Sequence, residues 1–279
     1  MKLLWNTVGA VATTNTVTGG TVISSHNAEY LFYGDRSKVT RTDSQAGDVS
    51  FGYEVSSGSF SWDHMVVTNA DRTANNKTTS AIKVEQDVGA GYVTVSGSTV
   101  APFQNSDLVG IDLWGIGHGQ DYVFTPASEQ TGVEGVRFVT YKNSGGDDMA
   151  REVGKVFFCD SFDFGTEPLI DPEPEWEDIP ESDKIFKPRQ GYVSYPTTKR
   201  TTLTWKHLSS ATVTSFLAID NLLAWPLFLY DSSQYLFQHK LEHVIIERIS
   251  EKCEPNAIAN QNIELEITFR RLKHYRGAA

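Results

Sequence analysis

Between Gly165 and Pro188 the chain carries five prolines, Pro168, Pro172, Pro174, Pro180 and Pro188, interleaved with eight carboxylates, Glu167, Asp171, Glu173, Glu175, Glu177, Asp178, Glu181 and Asp183. Proline fixes φ and removes a backbone donor, and like charges repel, so this stretch resists helix and sheet alike and is expected to run extended. It divides a chain of 279 residues into two parts, each long enough to bury a core of its own. The expected organisation is a first domain over residues 1–165, an acidic Pro-rich linker over 166–188 and a second domain over 189–279. Trp176 and Ile179 are the bulky apolar residues in the middle of the linker. A solvated linker has little reason to carry tryptophan, so Trp176 either packs on its own domain or anchors the strap to a neighbouring subunit.

Upstream of the linker, short runs with β character recur with Gly, Asn and Ser between them. They are Tyr30 to Tyr33, Val49 to Val55, Ser61 to Thr68, Ala81 to Gln86, Tyr92 to Val95, Leu108 to Trp114, Asp121 to Thr125, Val136 to Tyr141 and Val153 to Asp160. Many short strands at regular spacing, with no sustained 3.6-residue apolar period, predict a β-sandwich. Downstream the pattern changes. Gly191 to Trp205 alternates and is Thr-rich; Ser209 then stands where an N-cap belongs, before Val213, Phe216, Leu217, Ile219 and Leu222 at helical spacing. That helix is expected to end near Ala224, ahead of Pro226. Strands are expected at Pro226 to Tyr230, Leu241 to Ile249 and Ile263 to Leu272. In the last, Ile263, Leu265, Ile267 and Phe269 alternate with Glu264, Glu266, Thr268 and Arg270, a strand with one wet face. The fold class is therefore mainly β: an N-terminal β-sandwich and a small C-terminal α+β domain with a sheet and one helix.

The net charge of −11 argues against nucleic acid as a partner of the whole chain. Its distribution is uneven. Residues 1–183 hold 11 basic and 27 acidic side chains, and residues 184–279 hold 13 and 8. Opposite signs on the two parts suit head-to-tail contact between copies or with a charged partner. The basic cluster Arg270, Arg271, Lys273 and Arg276 near the C-terminus reads either as a solvated strand end or as an interface patch for an acidic surface, and with Trp176 it makes up the candidate interface set. No run of residues is long and apolar enough for a membrane-spanning helix, and the N-terminal apolar run is shorter than a signal-peptide core, so a soluble protein made in the cytoplasm is expected. The two cysteines, Cys159 and Cys253, have neither zinc-knot nor disulfide-framework spacing and read as buried thiols.

One catalytic pattern is present. His239-Lys240-Leu241-Glu242-His243 fits H-x-x-E-H, which on a helix would set two imidazoles on one zinc ion with the Glu beside a metal-bound water. The β-branched run Val244-Ile245-Ile246 favours a strand instead, where residues four apart stand about 13 Å from one another and cannot close on one ion. Asp147-Asp148 after Gly145-Gly146 is a turn signal, and Gly115 to Gly119 lacks the following helix and Lys-Ser/Thr of a phosphate cradle. No nucleophile motif stands out, so the sequence implies no catalytic residue, no cofactor and no enzyme activity.

Read in order, the first domain resembles the discoidin-like, galactose-binding jelly rolls used as accessory modules in phage tail proteins. The residues that carry the likeness are Asn27 to Leu31 with Gly34, Asp35, Arg36 and Arg41; Trp62 to Ala70; Ala81 to Gln86; and Val153 to Cys159 with Phe162 to Gly165. The second domain is similar to the compact module that follows in those proteins, through Arg200 to Trp205 with Leu208-Ser209, Trp225 to Asp231, and Ile267 to Leu272. The resemblance implies a non-catalytic structural component of a bacteriophage tail tip or baseplate, located in the virion tail after assembly in the host cytoplasm. Its partners would be other tail proteins and further copies of itself in a symmetric homo-oligomer, with neither nucleic-acid binding nor membrane insertion. The alternative implied by the jelly roll is a carbohydrate-binding protein that recognises a host glycan. Calcium near Asn27 to Asp35, often present in such folds, is a lesser expectation. A zinc-dependent hydrolase using H-x-x-E-H is the second alternative.

Overall fold

The computed structural model describes residues 1–7, 13–25, 28–31, 39–45, 47–68, 81–100, 110–111, 120–141, 149–170, 176–177, 198–219, 227–231, 241–253 and 261–271. The chain is mainly β, with twenty strands and one α-helix among these residues. They gather into two compact units: one over Asn6–Ser161, the other over Met1–Trp5, Phe162–Gln238 and Glu242–Tyr275. No described helix is long and apolar enough to cross a membrane.

The first unit is a β-sandwich. One sheet has five antiparallel strands in the order Thr13–Thr18, Val49–Val55, Gly135–Thr140, Ile82–Asp87 and Tyr92–Thr94. Facing strands run Val156–Asp163, His64–Val67, Gln120–Phe124 and Gly110–Ile111 in hydrogen-bonded order. Two further pairs, Phe60–Trp62 with Gln130–Val133 and Thr40–Gln45 with Met149–Val153, complete the unit. The period of two explains the core. Val49, Phe51 and Tyr53, Ile82 and Val84, and Val136 and Phe138 all turn to one face, where they meet Trp62, Met65, Val67, Phe124, Val156 and Phe158. Each of the large side chains buried there contributes about 1.5–3 kcal/mol.

Two local expectations change. The run Tyr30 to Tyr33 was expected as strand; Ala28–Leu31 forms a 3-10 turn. Its carbonyls are engaged by side chains in place of a neighbouring strand: Asn15 donates to Ala28, the Lys155 ammonium to Tyr30, and the buried Tyr53 hydroxyl reaches Leu31 at 3.0 Å. The run Ser61 to Thr68 breaks into Phe60–Trp62 and His64–Val67, because Asp63 leaves the ladder and its amide bonds to the Cys159 carbonyl at 2.9 Å. Cys159 is a buried thiol, pushed well up by burial; the side chain of Cys253 lies outside the described residues.

The second unit is a sheet with a helix on one face. Its strands run in the order Leu169–Ile170, Thr198–Ser209, Gln261–Arg271, Leu241–Cys253, Leu227–Tyr230 and Lys2–Asn6. The N-terminal strand, expected inside the first domain, pairs here with Leu227–Tyr230, Leu3 opposite Leu229. Its burial explains why: Leu3, Trp5, Leu227 and Leu229 share one apolar cluster. The helix, Ser210–Leu217, starts at the expected cap, the Ser209 hydroxyl accepting from the Thr212 amide at 3.0 Å. It lays Val213 and Phe216 onto Leu203, Trp205, Leu265, Ile267 and Phe269. It ends at Leu217, not near Ala224, because the Ile219 amide tightens onto the Phe216 carbonyl at 3.1 Å and closes the last turn.

The acidic stretch is also different from a free linker. Leu169–Ile170 pairs antiparallel with Thr204 and Leu203, and Trp176–Glu177 with Lys199 and Thr198. These non-proline dipeptides supply the backbone donors that the flanking prolines cannot, so parts of the 166–188 stretch add to the edge of the second unit's sheet.

Candidate functional site

On the outward face of the five-stranded sheet, register and alternation assemble a set of polar and aromatic groups. The strand Ile82–Asp87 turns Ile82 and Val84 inward, which leaves Lys83, Glu85 and Asp87 outward. The neighbouring strand puts Arg137 directly opposite Glu85 and Gly135 opposite Asp87. A tight hairpin follows: Gly89 and Gly91 both adopt φ +93, and their amides donate to the Asp87 carboxylate at 2.8 and 2.9 Å. That turn delivers Tyr92, which lies across Asp87 and over Gly135, where a β-carbon would sit 2.6 Å from the tyrosine hydroxyl.

The guanidinium of Arg137 lies over the Tyr92 ring, 3.9 Å from its centroid. Its Nε and Nη2 meet Glu85 Oε2 at 2.7 and 2.6 Å, and Lys83 Nζ meets Oε1 at 2.6 Å. The same ammonium stands 5.3 Å from the Tyr141 ring, and the Tyr92 hydroxyl is 3.4 Å from Glu54 Oε1. Burial raises the Tyr92 hydroxyl to about 12, helped by the Glu54 charge, so the phenol is a neutral donor at physiological pH. Burial pushes the Glu85 carboxyl up, but the hydrogen bonds and charges of Lys83 and Arg137 outweigh it and hold the group below its ordinary value. The Lys83 ammonium is raised, chiefly by its hydrogen bond to Glu85. The result is a fixed array of ionised donors and acceptors around an aromatic ring. It can orient a hydroxyl-rich ligand; it offers no activated nucleophile.

A second cluster resembles a catalytic set in composition only. Asp63 takes the Ser161 hydroxyl at 2.5 Å and His64 Nδ1 at 2.6 Å, with Asp160 beside them. The carboxylate stands in the middle, so the serine donates to Asp63 and not to an imidazole base.

The residues singled out from sequence fall in different places. Arg270 lies on the outward face of the second unit's sheet, its side chain 40% exposed and its Nε 3.0 Å from Glu247. Arg271 and Trp176 lie in strands opposite Val244 and Lys199, their side chains outside the described residues. Lys273 and Arg276 lie outside the described residues altogether, as do Gly115 to Gly119 and Asp147-Asp148. Of the H-x-x-E-H pattern, Leu241, Glu242 and His243 open the strand Leu241–Cys253, as the β-branched run suggested, while His239 and Lys240 are outside the described residues. His243 is buried with its ring stacked on Phe228, centroids 4.8 Å apart. Among the described residues no group of His, Cys, Asp and Glu is placed to hold a metal ion. The Tyr92 array was missed from sequence. Alternation alone exposes Lys83 and Glu85, but only cross-strand register brings Arg137 and Tyr92 to them.

No family model matches the sequence, and no curated protein matches it. Solved structures do. A family 32 carbohydrate-binding module from a family 31 glycoside hydrolase of Clostridium perfringens is 15% identical, covering 53% of this chain and 94% of that one, with a TM-score of 0.39. A chitosan-binding module from a chitosanase/glucanase of Paenibacillus sp. IK-5 is 12% identical, covering 56% and 100%, with a TM-score of 0.40. The family 32 module of Clostridium perfringens NanJ, solved with galactose, is 10% identical, covering 57% and 100%, with a TM-score of 0.39.

Proposed function

We propose that this protein is a non-catalytic binding protein whose β-sandwich unit recognises carbohydrate through the outward face of its five-stranded sheet. The observation that supports this reading is the Tyr92 array: a ring whose hydroxyl end lies over Gly135, an arginine 3.9 Å from its centroid, and ionised Glu85 and Lys83 fixed beside them. Planar charged groups bonded to each other do not reorganise when a sugar arrives, so their remaining donors and acceptors are presented to hydroxyls without an ordering cost. The test is a glycan array followed by calorimetric titration of the full chain. Binding is expected for the wild type, and Tyr92→Ala and Arg137→Ala are each expected to weaken it by about tenfold or more while far-ultraviolet circular dichroism stays unchanged. A wild type that binds no glycan, or variants that bind as well as it does, defeats the reading.

The second reading is the assembly role: a structural component of a phage tail tip or baseplate, located in the virion and associating with copies of itself and other tail proteins. It draws on the outward face of the second unit's sheet, where Arg200, Lys206, Arg248, Lys252 and Arg270 outnumber Glu247, Glu264 and Glu266 in a chain whose first 183 residues are strongly acidic. Retention of neighbouring tail proteins on the tagged full chain supports this role, and a monomer that retains none refutes it.

A further inference from the structure

The helix covers one face of the second unit's sheet, and the alternation that buries Leu203, Trp205, Leu265, Ile267 and Phe269 under it sends the intervening residues to the other face. Along Thr198–Ser209 these are Arg200, Thr202, Thr204 and Lys206; along Gln261–Arg271 they are Glu264, Glu266, Thr268 and Arg270. Register sets Arg200 directly opposite Arg270, a pairing of like charges that is unfavourable by itself. The third strand answers it. A register shift between Ile246 and Arg248 inserts Glu247, whose carboxylate lies 2.5 Å from Arg200 Nε and 3.0 Å from Arg270 Nε. The far end carries Lys206 and Lys252 on Glu264 and Lys252 on Glu266, at 3.4 to 3.5 Å.

This face is held in place by ion pairs and is open to solvent at Arg270, 40% accessible, Lys206, 44%, and Lys252, 59%, with Arg200 at 33%. It carries five cations to three carboxylates among the described residues. The same chain holds the complementary charge, since residues 1–183 carry 27 acidic side chains against 11 basic ones. From this match, and resting on the assembly reading, we propose that the outward face centred on Arg200, Glu247 and Arg270 docks a second copy of this chain through that copy's acidic N-terminal part. Because the two surfaces differ, the contact is head-to-tail, and it propagates into a ring or an open filament according to the rotation between copies. Charged faces of this kind govern register and encounter rate more than total affinity, so the contact depends on salt.

Sedimentation velocity of the full chain at low and at high salt tests this. The expected result is salt-sensitive self-association of the wild type, weakened by about tenfold or more in an Arg200→Ser, Glu247→Gln, Arg270→Ser variant, which removes the group without stranding a charge. A second variant, Lys206→Ser with Lys252→Ser, thins the far end of the same face without touching the pinned arginines, and is expected to weaken association less. Thermal melts of both confirm that the fold survives. A wild type that stays monomeric at all salt concentrations overturns the head-to-tail contact, and it sinks the assembly reading as well when the tagged full chain also retains no neighbouring tail protein. Self-association that persists undiminished in both variants leaves that reading standing and overturns the face assigned here.

Discussion

Asp160 shows how a single residue in the sandwich is set against its surroundings. Burial lifts its carboxyl above the ordinary value, the charges of Asp63 and Glu129 add to the effect, and the Ser161 amide, at 2.9 Å, and His64 oppose it. A folded-state value above the unfolded one means that the fold favours the protonated form. The stability it brings is complete below the unfolded value of 3.8 and is lost as pH rises through the folded value. At neutral pH the ionised carboxylate is therefore a standing cost, which Asn avoids while keeping an acceptor for Ser161. Asp160→Asn is expected to stabilise at pH 7 by up to about 1 kcal/mol, after allowance for screening at a half-buried site. Urea titrations between pH 4 and pH 7 check it: the gain should shrink toward acid, and a gain independent of pH contradicts the assignment. Arg137 makes a related point. It is outward-facing, yet its guanidinium is fixed by Glu85 and by the Tyr92 ring, so its orientation belongs to the array and not to the residue.

At the scale of elements, local chemistry governs where structure begins and ends. The helix of the second unit is eight residues long, too short to persist through its own hydrogen bonds, and it depends on its cap and on its apolar face. Ser209 holds an extended backbone, accepts from the Thr212 amide and lies 2.8 Å from the Thr212 hydroxyl. Ser209→Ala is expected to cost about 1 kcal/mol, read as a lower denaturant midpoint at unchanged slope, while Ser209→Asp should restore most of the loss. The strand before the helix shows a second local device. His207 adopts φ 60 where the pairing with Gln261–Arg271 shifts register, which turns Leu208 back into the core after Trp205.

The whole molecule is two cores on one chain, and the second draws on both chain ends. Phe216 touches Phe162 and Phe164, with ring centroids 5.5 and 5.0 Å away, so the helix packs on an aromatic pair of its own unit. Phe216→Ala is expected to remove about 3–5 kcal/mol from the second unit. Scanning calorimetry should show one transition moving down while the transition of the sandwich core around Phe51, Trp62 and Phe138 stays in place; a common shift of both argues against separate cores. Much of this was written in the sequence. Alternation set the inward faces of Val49–Val55 and Gln261–Arg271, Ser209 marked the start of the helix, and β-branched Val244 to Ile246 chose strand over helix for Leu241–Cys253, which carries the Glu242-His243 end of the H-x-x-E-H pattern. These are properties of neighbours along the chain, where side-chain period, capping and propensity act without long-range partners. Tertiary structure decided the rest: the pairing of Lys2–Asn6 with Leu227–Tyr230, the docking of Leu169–Ile170 and Trp176–Glu177 on an edge that their prolines argued against, and the meeting of Tyr92, Arg137, Glu85 and Glu54 from four strands. Each depends on cross-strand register between distant segments, which is set by burying complementary apolar faces and cannot be read from either segment alone.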